Sequence, residues 1–199
     1  MGTRGSYGFR AAGEDRLAYS QFDSYPSGLG AAIADDIQRR LLKSPPTVEQ
    51  VLAIELLPLS DERADVRAAF KQGPLSTLLT RKRPRFASGN LFVGDSLFCE
   101  WAYVLNLDTD KLEVYRGFQR TPGVGRYAHL DLNPDHEPTY YGVSLVAELP
   151  LDEATPETML WLDRAVSREE GGRVFRRGAD IDDALARRPF TWDEEGEDG

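Results

Sequence analysis

One cysteine and two histidines in 199 residues leave this chain short of the side chains that build disulfides and most transition-metal sites. Cys99 alone closes no intramolecular disulfide and supports no zinc site made of several thiolates, which agrees with a reducing compartment. No apolar run approaches the roughly 20 residues of a membrane-spanning helix, and the first residues carry no apolar signal core. These absences point to a cytoplasmic protein with no membrane partner. Neither a Gly-x-Ser-x-Gly elbow nor a phosphate-binding P-loop is present, and no pattern asks for a cofactor. Surplus positive charge is also missing. The net charge of −9 disfavours nucleic acid, whose phosphates are held by many Lys and Arg residues.

What is present is globular composition, 41% hydrophobic and 29% charged, enough to bury a core over residues 1–192 as one domain. Five carboxylates crowd into Asp193-Glu194-Glu195-Gly196-Glu197-Asp198-Gly199, which reads as a disordered acidic tail. Alternating residues predict a hairpin from Ser6–Ala12 and Arg16–Phe22, joined at Gly13-Glu14-Asp15. From Leu29 the spacing of Ile33, Ile37 and Leu41 predicts an amphipathic helix that Pro45-Pro46 ends. Thr47 with Gln50 forms a capping-box pattern for a second helix reaching toward Pro58. Ser60, Asp61 and Glu62 suit the start of a third, which Gly73-Pro74 would stop, and Leu75–Leu79 makes one more turn.

Between Leu97 and Leu107 every odd position is apolar, predicting a strand with Glu100 and Asn106 on its other face. Asp108-Thr109-Asp110-Lys111 turns the chain into a partner strand, Leu112–Phe118, where Gly117 marks a bulge or a close approach. Residues 119–139 read as a long loop, and Tyr140–Leu149 as another strand. A helix opens at Pro156. A short one starts at Asp180 and stops at Pro189. The fold class is therefore α+β: an N-terminal hairpin, a helical block, then an antiparallel sheet with C-terminal helices packed on it.

The opening residues concentrate glycine, tyrosine and arginine. Arg4, Tyr7, Arg10, Tyr19, Asp23 and Tyr25 supply guanidinium forks, phenol hydroxyls and a carboxylate suited to an anionic or amide-bearing ligand. Glu100 joins them as a polar group beside the apolar row, with acid/base capacity. The ordinary alternative is that Tyr7 packs in the core, the arginines are solvated, and 23–28 is a turn leading into a helix.

Four elements, Gly2–Gly5, Tyr7–Arg10, Phe22–Pro26 and Gly28–Gly30, together resemble the N-terminus of a family of uncharacterised bacterial and phage proteins. Residues 100–108 and 112–115 look like a second shared block. The family implies no activity. A more distant, fold-level resemblance is to N-terminal-nucleophile hydrolases, whose chemistry needs Cys, Ser or Thr at the mature terminus so that the free amine serves as base. Removing Met1 exposes Gly2, and only a further cut would expose Thr3.

Other chemistry is thinner. His129, Asp131, Asp135, His136 and Glu137 fall in one loop of ordinary loop formers and are assigned no metal. Arg81-Lys82-Arg83-Pro84-Arg85 is a local basic run that reads as a solvated connector. The function expected is a noncatalytic binding or protein-interaction module, its partner a protein or small molecule, with its site where the N-terminal block meets the hairpin from Leu97 to Phe118. The alternative is an amide- or ester-type hydrolase using the same region.

Overall fold

A computed structural model of the chain describes residues 2–66, 73–80, 86–130, 132, 140–168 and 174–186. The acidic tail, the basic run at 81–85, and Asp131, Asp135, His136 and Glu137 lie outside them.

The architecture is α+β, built on one five-stranded sheet: β1 (Gly5–Ala11), β2 (Glu14–Ser20), β3 (Trp101–Asn106), β4 (Lys111–Arg116) and β5 (Ser144–Pro150) in the order β2-β1-β3-β4-β5. The N-terminal hairpin and the later meander are halves of this sheet. They join through a parallel pairing of β1 with β3, Gly5 opposite Trp101 and Arg10 opposite Asn106, so the sheet is mixed rather than antiparallel throughout. The hairpin turn is also tighter than the Gly13–Asp15 expectation. Ala12 and Gly13 alone reverse the chain, at φ 50° and 79°, a two-residue turn whose twist matches that of its strands. The two backbone N–H groups of this turn donate to the Asp108 carboxylate at 2.7 and 3.0 Å, so the β1–β2 turn is tied to the β3–β4 turn.

Those two bonds, with Arg10 nearby, hold the Asp108 carboxyl below its ordinary value of 3.8. A depressed carboxyl contributes its stability above the unfolded value and loses it as pH falls through the folded one. Asp108→Asn should therefore cut amide protection at Ala12 and Gly13 near neutral pH while leaving mid-strand amides protected. In the parent, the same two amides should lose protection first on acidification below about pH 4. Equal protection in parent and variant would contradict the role given to Asp108.

Alternation sorts the strand residues onto two buried faces. Tyr7, Phe9, Tyr103, Leu105, Leu112, Val114 and Leu149 belong to the core beneath the helices. Leu17, Ala102, Val104, Tyr115 and Leu145 form a second cluster with Val93, Cys99, Tyr127 and Val143 from the loops over the other face. As the middle strand, β3 is buried at all six positions. Cys99 is buried too, but it precedes the strand and joins the loop-side cluster, out of register with Trp101 and Tyr103. Burial pushes its thiol far above the ordinary range.

The first helical stretch runs unbroken through Pro26–Gly30, α1 (Ala31–Asp36) and Ile37–Leu41. Its buried row, Leu29, Ile33, Ile37 and Leu41, advances four residues at a time. In an ideal helix that row would rotate about 120° over three steps. Wide turns reduce the drift, closed by i→i+5 bonds such as Gly30 N–H to the Tyr25 carbonyl and Leu42 N–H to the Ile37 carbonyl. α2 (Val48–Leu52) carries the expected capping box, both bonds present, but stops at Ala53, and Leu57 pairs with Ala87.

The helix expected from Ser60 does not start in the described part. Asp61 folds its carboxylate back onto Arg63, and Asp65 bridges Phe86. α3 (Pro74–Thr80) covers the expected turn at Leu75–Leu79. Its first turn is capped from another helix. The buried Asp36 carboxylate accepts the Ser76 N–H at 2.7 Å and the Ser76 hydroxyl at 2.6 Å. Gly73, at φ 83°, permits this approach, since a Cβ there would stand 2.2 Å from the carboxylate. α4 (Pro156–Arg168) and α5 (Gly178–Ala186) complete the helical layer.

Both sheet edges are occupied. On β2, the Asn90 side chain accepts the Leu17 N–H at 2.7 Å and donates to the Asp15 carbonyl at 2.9 Å. Gly89 N–H donates to the Leu17 carbonyl, and Tyr19 N–H to the Ala87 carbonyl. One amide side chain thus stands in for the backbone of a neighbouring strand. On β5, Phe175 exchanges backbone bonds with Val146 and Glu148. An added strand would find few free groups on either edge.

Candidate functional site

At the end of the sheet where β1 and β3 begin and β4 finishes, the ladder continues past the strands. Glu100 N–H donates to the Arg4 carbonyl at 2.9 Å, Gly117 N–H to the Glu100 carbonyl at 2.8 Å, and Phe118 N–H to the Ser96 carbonyl at 2.7 Å. A Cβ on Gly117 would lie 2.1 Å from the Cys99 carbonyl oxygen, so this is the close approach the sequence suggested. Three distant segments, 2–5, 96–100 and 117–119, are thereby locked side by side.

The side chains gathered there are mostly aromatic and charged. Arg4 lies over the Phe98 ring, 4.8 Å from its centroid, and the Tyr19 hydroxyl interacts with the same guanidinium. Burial raises the Tyr19 hydroxyl above the ordinary phenol range, with Arg4 opposing that shift, and its ring meets Phe92 edge-on at 4.8 Å. Glu100 accepts the Arg4 backbone N–H at 3.3 Å. Phe22 lies against Gly2. Phe22, Leu97, Phe98 and Phe118 are all exposed.

Phe118 is unusual on two counts. It adopts φ 59°, a left-handed conformation that is strained for a bulky residue, and it leaves 51% of its surface in water. Among the described residues the other non-glycine positions with positive φ are Ala12 and Asp110 at the hairpin turns and Asp23 at the exit from β2, where small or Asx side chains tolerate it.

Of the residues singled out from sequence, the structure brings Arg4, Tyr19 and Glu100 together. Asp23 and Tyr25 are exposed on the loop that Ser24 N–H ties to the Thr3 carbonyl, at the same end of the sheet but leading to the helical layer. Arg10 shares a sheet face with Arg4 yet sits at the opposite end of β1, paired with Asp15 at 2.9 Å. Tyr7 is fully buried on the helix face. The seven do not form one cluster, because a strand's alternation and length separate Tyr7 and Arg10 from the rest. Thr3 is nearly buried as well, 3% exposed.

Sequence reasoning missed a second polar cluster, at the far end of the loop-side face. Glu113, 4% exposed, accepts from Asn106 at 2.7 Å and Tyr115 at 2.8 Å, and its carboxylate is gripped by both terminal nitrogens of Arg126. Arg126 also donates to the Tyr115 hydroxyl at 2.9 Å, while Tyr127 donates to Asp15 at 2.9 Å. Burial, with the carboxylate beside each, raises both phenols well above their ordinary range. Both oxygens of Glu113 are occupied, which leaves no lone pair directed at a substrate. This is the chemistry of a buried brace rather than of an acid/base catalyst. A signal did exist: Glu113 and Tyr115 alternate with Leu112 and Val114 on a strand whose neighbours bury both faces.

His129 is exposed, and no group of three His, Cys, Asp or Glu among the described residues could hold a metal ion. No family model, curated protein or solved structure matches the chain. Among the described residues no helix is long and apolar enough to cross a membrane.

Proposed function

We propose that the chain is a noncatalytic binding module whose contact surface is the sheet end carrying Arg4, Phe22, Phe98, Glu100 and Phe118. The observation that supports this reading is Phe118. A phenylalanine at positive φ costs about 1–2 kcal/mol relative to a relaxed backbone, and with half its surface in water it recovers only part of what burial would return. Glycine would meet the backbone requirement without strain. A ring kept there at the expense of stability serves something outside the fold, in keeping with strain gathering at sites of contact. The same end of the sheet carries Arg4, Phe22 and Phe98, of the aromatic and arginine types that dominate binding energy in protein interfaces.

Phe118→Gly is expected to leave the melting temperature unchanged or raise it by a few degrees, and to abolish capture of the partner. The measurement is a photo-crosslinking residue placed at Leu97 in the parent and in the Phe118→Gly chain, inside the producing cells. One dominant crosslinked species in the parent and none in the variant supports the surface. Equal crosslinking in both would sink it.

A further inference from the structure

We propose that Arg4 reads a side-chain carboxylate on an acidic protein segment, while Phe98 and Phe118 receive the apolar residue next to it; this rests on the contact surface proposed above. The half-buried arginines of the described residues are otherwise taken. Arg10 holds Asp15, Arg16 holds Glu14, Arg126 holds Glu113, and Arg116 donates to the Val166 carbonyl at 2.9 Å. The Arg4 guanidinium has no carboxylate within ion-pair distance among the described residues. It lies 4.8 Å from the Phe98 ring centroid and interacts with the Tyr19 hydroxyl. A guanidinium already held between a ring and a phenol hydroxyl has less rotamer freedom to lose when an anion arrives.

The choice of anion follows from the surroundings. Glu100 stands beside Arg4 and Asp23 is exposed at the same end of the sheet, within a chain of net charge −9. At Arg4 itself a dianionic phosphate would meet one guanidinium with Glu100 beside it, whereas phosphate-recognising sites gather several cations around each phosphate. A single carboxylate matches a single planar fork bidentately. The exposed rings of Phe98 and Phe118 add an apolar requirement, so the segment expected carries Asp or Glu directly beside an aromatic or large aliphatic residue.

The test uses the full chain labelled for NMR and two capped peptides, acetyl-Phe-Glu-amide and acetyl-Phe-Gln-amide. The Glu peptide should shift the Arg4 Nε–H resonance together with the amides of Phe98 and Phe118, and should bind about tenfold more tightly than the Gln peptide, the factor expected from one charge-assisted bidentate contact. Arg4→Met should erase that preference at unchanged melting temperature, and Arg4→Lys should retain only part of it. Inorganic phosphate should shift Arg4 more weakly than the Glu peptide does. Equal binding of both peptides, abolished by Phe118→Gly, would overturn the carboxylate assignment while leaving the contact surface intact. Stronger binding of phosphate, or no shift at Arg4 with either peptide, would also overturn it, and the crosslinking experiment decides the surface separately.

Discussion

Replacing Arg126 by methionine is expected to lower the unfolding free energy by about 3–5 kcal/mol, the range for removing one partner of a buried ion pair. Glu113 is held inside the sheet with neutral donors from Asn106 and Tyr115 on either side, and Arg126 is its only counter-charge among the described residues. Methionine retains an apolar stem of similar length, so the change isolates the charge. The reverse deletion should cost less. Arg126 is 24% exposed and can turn its guanidinium toward water once Glu113 is gone, whereas Glu113 has no such exit. Glu113→Gln should therefore cost roughly half as much, and the double variant should be more stable than the sum of the two singles implies. Urea midpoints of the four proteins measure this. A loss under about 1 kcal/mol for Arg126→Met would show that water reaches the carboxylate.

Asp36→Ala should be the next most damaging change, costing about 3 kcal/mol through the half-buried Ser76 amide and hydroxyl left unbonded. The carboxylate is fully buried, and besides Ser76 it binds Arg40 at 2.9 Å. It also places negative charge at the first turn of α3, where the aligned peptide dipoles favour it. Asp36→Asn keeps the volume but presents an amide to groups that need an acceptor, so it should recover less than half of the loss. The damage should be local first, seen as lost amide protection across Pro74–Thr80 before the sheet responds. Uniform loss across the sheet and α3 would assign Asp36 to the global core instead.

Much of the helical layer could be read from sequence because its causes are local. Thr47 and Gln50 announce a cap, Pro156 a first turn, and Ile33, Ile37 and Leu41 an apolar row. The helix expected from Ser60 illustrates where local signals yield. Asp61 has the right chemistry for a helix start, but its carboxylate closes on Arg63 two residues later, and Asp65 is drawn into a bridge with Phe86. The parallel joining of β1 to β3 leaves no periodic trace in either strand, so the merger of hairpin and meander could not be foreseen. The candidate site was legible only in halves. Arg4, Tyr19 and Glu100 were visible as types, while their meeting depends on that same pairing, and nothing in a phenylalanine codon position signals a left-handed backbone at Phe118.

The pairing of β1 with β3 also imposes an order in time. Arg4 and Glu100 touch across 96 positions of chain, and at synthesis rates of about 5–20 residues per second the first hairpin waits roughly 5–20 seconds for the strand it needs. During that interval one flank of β1 has no strand to pair with. The juxtaposition of Arg4 with Phe98 and Glu100 comes into existence only when this long closure is made. A partner that recognises Arg4 beside Phe98 and Phe118 would therefore engage finished molecules and pass over nascent ones.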